Sequence, residues 1–134
     1  MDSLRYTNIA RYLEQVFPEA ESFYVATVKN QYEKVKKLAN AMKKVSNGKK
    51  RVFFHEDLME FFENNYSDCE LFDNYFGEIF ALVEQQVLVN ADEFCQWPKS
   101  SFSSLVKEMR VGIGKKGVHR FSLYQILLDS RSNQ

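Results

Sequence analysis

The strongest constraint on this chain is an apolar stripe at helical spacing. Phe72, Tyr75, Phe76, Ile79, Phe80 and Val83 recur over three turns, a pattern that one face of an α-helix presents and a strand does not. Such a stripe has to be covered, so the spacing predicts the central core helix of a mainly α fold. Gly77 within it lets a neighbour approach closely, at a cost of about 1 kcal/mol relative to Ala. With 134 residues, 45% hydrophobic and 27% charged, the chain can bury a proper core as one domain, or as one domain with a small appendage, without metal or disulfide staples.

Other periodicities fill in the frame. Ile9, Tyr12, Leu13 and Val16 predict a helix over 3–17, which Pro18 interrupts. Val25, Val28, Tyr32, Val35, Ala39 and Met42 alternate steps of three and four and predict a helix over 20–46. The seam is coiled-coil-like, but Lys29, Lys36 and Lys43 beside it would face no acids in a parallel self-pair, so it is expected to lie inside the domain. Asn47-Gly48 supplies its left-handed cap. Residues 54–65 read as a short helix with Leu58, Phe61 and Phe62 on one face and Glu56, Asp57 and Glu60 near its start. Beyond residue 86, Val87-Leu88-Val89 is β-like, and Asn90 would cap a helix over Ala91–Trp97. Pro98-Lys99-Ser100 turns into a helix over Ser101–Met109 with Phe102, Leu105 and Val106 inward. Val111–Leu123, with Gly112, Gly114 and Gly117, has the composition of a hairpin, and Leu123–Asp129 closes the chain with a helical turn or two. No internal repeat is visible.

Net charge is zero, yet the charges are sorted. Residues 29–51 hold nine basic side chains against Glu33 alone, residues 52–97 hold eleven acidic side chains and no Lys or Arg, and residues 98–134 return to seven basic against two acidic. The simplest reading lays the first two blocks against each other in one fold. The basic C-terminal block, with fewer acids to answer it, is the better surface for an outside partner.

Several chemistries find no support. Gly112-Ile113-Gly114-Lys115-Lys116-Gly117 satisfies GxGxxG, but it follows a helix and leads toward a strand, the reverse of the order a dinucleotide site requires; no cofactor is expected. His55-Glu56 opens like a zinc-protease helix, but Met59 stands where the second ligand would be. Cys69, Cys95, His55 and His119 lack paired metal-ligand spacing, and no Ser or Cys sits in a nucleophile context. The carboxylates of 52–97 mostly stand opposite apolar stripes, as solvated faces do. The expected protein is not an enzyme. Its apolar runs are too short to span a membrane, Met1-Asp2-Ser3-Leu4-Arg5 lacks the features of a secretory signal, and two lone cysteines suit a reducing cytoplasm.

The order strand, helix, turn, helix, glycine-bearing hairpin and closing helix over residues 87–128 resembles the winged helix-turn-helix of the MerR and excisionase class. The resemblance is carried by Val87-Leu88-Val89-Asn90-Ala91-Asp92-Glu93-Phe94, by Ser100-Ser101-Phe102-Ser103-Ser104-Leu105-Val106-Lys107-Glu108-Met109, and by Gly117-Val118-His119-Arg120-Phe121-Ser122-Leu123-Tyr124-Gln125-Ile126. It covers about a third of the chain. It departs at Gln96-Trp97-Pro98, where the family's turn usually holds Gly, at Ser101, where an Arg is common, and in lying C-terminal. In that family the second helix enters the major groove and a basic wing touches the backbone. The resemblance therefore implies double-stranded DNA as partner, with Lys99, Ser100, Ser101, Ser103, Ser104 and Lys107 on or before the recognition helix and Lys115, Lys116, His119 and Arg120 along the wing. Hydroxyls and free N–H groups at a helix N-terminus suit phosphates and base edges.

The expected architecture is thus mainly α: a helical domain over 1–86 and a winged helix-turn-helix-like unit with a small β-hairpin over 87–134, packed together as one compact body. The expected function is that of a small cytoplasmic DNA-binding regulator or accessory protein. Homodimerisation is the common way such modules reach useful affinity, although no dimer surface stands out. The rival reading is a protein-binding adaptor or inhibitor acting through the acidic, aromatic region 52–97.

Overall fold

The computed structural model describes residues 2–27, 29–70, 75–96 and 101–120. Within them the chain is mainly helical, with two small parallel two-stranded sheets. Among the described residues, those through Ser67 form one compact unit and those from Asp68 to Arg120 a second, and residue 86 lies inside a helix. No helix among the described residues is long and apolar enough to cross a membrane.

In the first unit, helix α1 (Asp2–Val16) packs on helix α2 (Tyr32–Val45), strand β1 (Ser22–Tyr24) pairs in parallel with β2 (Arg51–Phe53), and helix α3 (His55–Tyr66) follows. The long helix expected over 20–46 therefore begins only at Tyr32. Phe23, Tyr24 and Val25 are aromatic and β-branched and go to the sheet instead, where Phe23 lies opposite Val52 and the Val25 amide donates to the Phe53 carbonyl at 2.9 Å. What survives of the seam is internal: Val35 and Met42 are buried, together with Ala41, Ala10, Leu13, Phe17, Val52, Phe54 and Phe62. The helix ends as expected, with Asn47 in the left-handed region and the Gly48 amide bonded to the Lys43 carbonyl. At the start of α3, the Asp57 carboxylate accepts the Phe54 amide at 2.9 Å.

In the second unit, helix α4 (Phe76–Asn90) packs on helix α5 (Ser101–Gly112), and strand β3 (Phe94–Gln96) pairs in parallel with β4 (Val118–Arg120). Four local expectations are corrected. Val87-Leu88-Val89 is the last turn of α4, with Leu88 and Val89 buried, and not a strand. Asn90 does not open a helix; it ends one, its side-chain nitrogen donating to the Gln86 carbonyl at 2.9 Å. Residues 94–96 are strand where a helix over 91–97 was expected. Finally, 111–120 forms no hairpin, because α5 continues through Gly112 and β4 pairs with β3 across the helix between them. The Phe72–Val83 stripe is only partly the core: Phe80 is buried and stacks against half-buried Phe76, but Tyr75 is exposed and Phe72 lies outside the described residues, as does 123–129.

The two units repeat one plan: helix, strand, helix, parallel strand. A parallel pair needs a long crossover, and here each crossover holds a helix with a buried valine followed by lysine, Val35-Lys36 and Val106-Lys107. Each helix ends in a left-handed residue and a Gly-Lys-Lys segment that leads into the second strand, Gly48-Lys49-Lys50-Arg51-Val52 and Gly114-Lys115-Lys116-Gly117-Val118. A lysine of that segment caps the first helix in both. Lys50 Nζ donates to the Phe17 and Pro18 carbonyls at 3.2 and 2.9 Å, just beyond α1, and Lys115 Nζ donates to the Asn90 carbonyl at 2.7 Å, at the end of α4. Both cations meet the partial negative charge of a helix C-terminus. The second crossover is shorter, so no single offset aligns both halves, and the repeat escapes a reading of the sequence.

Gly117 gives this plan a measurable weak point. Its φ is +79°, its carbonyl accepts the Phe94 amide at 2.7 Å, and a Cβ there would lie 2.9 Å from the Asp92 carbonyl oxygen. Gly117→Ala is expected to cost about 2–4 kcal/mol, from the left-handed backbone plus overlap with main chain. Gly48→Ala, with a similar φ but open space around it, should cost about 1 kcal/mol. Equal losses in urea titrations of the two variants would contradict this placement.

Candidate nucleic-acid interface

α5 is the element on which the expected DNA surface was built, and its orientation is set by one residue. Ser103, Val106 and Arg110 form its buried face; of the expected Phe102, Leu105 and Val106, Val106 is buried as expected. Phe102 and Leu105 are instead exposed. Arg110 is fully buried and gathers five main-chain carbonyls: Nη1 donates to Leu88, Val89 and Ala91 at 3.2, 2.9 and 2.6 Å, and Nη2 to Asp92 and Lys116 at 3.2 and 2.6 Å. The guanidinium also lies over the Phe94 ring, 6.0 Å from its centroid. It therefore ties the C-terminal end of α4, the approach to β3 and the turn before β4 to one another. In the sequence Arg110 reads as one more charge in the basic tail. Its spacing of four and seven residues from Val106 and Ser103 is the signal that places it inward.

This orientation sorts the expected DNA contacts. Ser101, Ser104 and Lys107 are exposed and spaced by three along α5, so they share a face. The Ser104 hydroxyl also accepts from Gln96 Nε2 at 3.4 Å. Ser103 is buried and cannot reach a base edge. Lys116 is exposed, whereas Lys115 is half-buried and turned onto Asn90. That bond places the Lys115 ammonium at the C-terminal end of α4. His119 and Arg120 stand on β4, in register with Cys95 and Gln96. Lys99 and Ser100 lie outside the described residues. The same outward face of α5 and the turn beyond it also carry Leu105, Val111 and Ile113, all more than half exposed or nearly so.

Lys36 bridges Glu33 at 3.1 Å and Glu56 at 3.3 Å. The second of these bridges joins the basic block to the acidic one. Lys43, Lys44, Lys49 and Arg51 are exposed, and so are Glu60, Glu63, Asp68, Glu70 and Glu78.

Chemistry at the remaining reactive groups is muted. Burial pushes the Cys95 thiol up to about 12, with Glu93 adding to the shift, so near neutral pH it remains protonated and a poor nucleophile. The Gly112–Gly117 segment runs from the end of α5 to the start of β4, so its glycines turn the chain out of a helix and do not open one over a phosphate. In comparisons with known proteins, no family model, no curated protein and no solved structure matches this chain.

Proposed function

We propose that this protein is a small non-enzymatic DNA-binding regulator or accessory protein that docks on duplex DNA through α5 and the turn after it. The observation that carries the reading is the outward face of α5, where Ser101 and Ser104 stand in the first turn with Lys107 one turn on and Lys116 beyond the helix. Short hydroxyls at a helix N-terminus can meet base edges or phosphates, while lysines further along supply charge to the backbone. The winged helix-turn-helix resemblance contributes the manner of docking, with the N-terminal end of the helix toward the groove. The strand–helix–strand setting of α5 leaves that role to the helix alone, with β4 as a flanking strand in place of a wing.

Under this reading Lys107→Ala/Lys116→Ala should lower the magnitude of the log–log salt slope of duplex binding by up to about 2, nearly equally for all sequences. Ser101→Ala and Ser104→Ala should instead change the preference among sequences. Lys115→Ala should act on stability, by uncapping α4. Anisotropy titrations at low and moderate salt separate these outcomes, and absence of any salt-sensitive duplex affinity at micromolar protein would end the DNA reading.

A second reading has its own observation. On α3, Phe61 and Tyr66 are each 51% exposed with ring centroids 6.1 Å apart, beside exposed Glu56, Glu60 and Glu63. An outward aromatic pair ringed by acids suits a protein partner with apolar and basic groups, which keeps the adaptor or inhibitor role as the alternative.

A further inference from the structure

We infer that the first unit carries a second phosphate-docking surface for duplex DNA, formed by Lys43, Lys44, Lys49 and Arg51; this rests on the DNA reading above. The four side chains are all exposed and fall within nine residues, on the last turn of α2, the turn after it and the first residue of β2. Residues 34–55 contain no Asp or Glu. Two carboxylates that reach the basic block, Glu33 and Glu56, are taken up by Lys36, nearer the opposite end of the helix. Beside the cluster, Glu21 is the nearest acid by chain pairing, its carbonyl accepting the Arg51 amide at 3.2 Å, and one carboxylate cannot neutralise four cations.

The helix macrodipole accounts for only part of the cluster. Cations in the last turn complement the C-terminal partial charge, which explains Lys43 and Lys44, but the effect fades beyond that turn and leaves Lys49 and Arg51 without a structural reason. The internal task of the segment is already done by Lys50, which caps α1 through the Phe17 and Pro18 carbonyls. In the second unit the same division holds: one lysine of the Gly-Lys-Lys segment, Lys115, caps α4, the first helix of that unit, and the other, Lys116, is exposed. Each unit thus reserves one lysine for its own fold and directs its neighbour outward, and the first unit adds three more cations around that position. Exposed lysines with an arginine fork match the spaced, singly charged oxygens of a nucleic-acid backbone.

The test uses the full chain and a labelled duplex of about 20 base pairs, with binding followed against salt. Lys43→Ala/Lys44→Ala/Lys49→Ala should lower the magnitude of the log–log salt slope by up to about 3. Lys34→Ala, at an exposed lysine in the first turn of α2, should leave it unchanged. Thermal melts should be near wild type for both, since the side chains are exposed. A triple variant with unchanged slope, beside a Lys107→Ala/Lys116→Ala variant with reduced slope, overturns the second surface and leaves the α5 reading intact. The reverse result supports the first-unit surface and removes α5 as the docking element. A slope reduced equally by Lys34→Ala would show a diffuse charge effect and overturn the surface as defined, and a wild type without salt-dependent affinity overturns both.

Discussion

Arg110→Met should unfold or severely loosen the second unit. Methionine keeps much of the side-chain volume, so the expected loss of about 3–5 kcal/mol comes from stranding the carbonyls of Leu88, Val89, Ala91, Asp92 and Lys116. For a small domain worth 5–15 kcal/mol that is a large share. Arg110→Lys keeps the charge but brings at most three donors in a different geometry, and it should recover less than half of the loss. Urea unfolding followed by circular dichroism, with amide exchange at Phe94–Gln96 as the local probe, reports both. A methionine variant with an unchanged midpoint would mean that the guanidinium is dispensable and that α4 and α5 are held by apolar contact alone.

Val35→Asp should be comparably damaging to the first unit. Val35 is 6% exposed on the face of α2 that also buries Met42. A carboxyl there loses the valine's apolar burial and must be desolvated or protonated, for a combined cost of about 3–6 kcal/mol. The expected outcome is loss of near-ultraviolet dichroism and a chain that no longer melts cooperatively. A variant that stays folded but sediments as a smaller species would instead make this face of α2 an interface between copies of the chain.

Local patterns in the sequence determined a good deal. Periodicity located α1, α3 and α5 to within a few residues, because an amphipathic stripe at a spacing of three and four is a property of neighbours along one helix. The Asn47-Gly48 stop was equally legible, since a left-handed cap is chosen by the residues that occupy it. The reversal of order around Gly112–Gly117 followed from what precedes and follows the glycines, and α5 and β4 stand in that order.

Tertiary structure decided the rest, wherever a residue's fate depends on a distant partner. Ser22–Tyr24 falls within the helix expected over 20–46, yet it becomes strand because Arg51–Phe53 is available to pair with it. Phe94–Gln96 does so opposite Val118–Arg120, and parallel pairing is nonlocal by construction. The face that α5 buries was misread from its apolar residues because a buried arginine outweighs them: five carbonyls at the end of one helix and two turns require that guanidinium, and an unmet buried carbonyl costs more than an exposed leucine. For the same reason Lys115, indistinguishable from Lys116 in the sequence, belongs to the fold while its neighbour remains available to a partner.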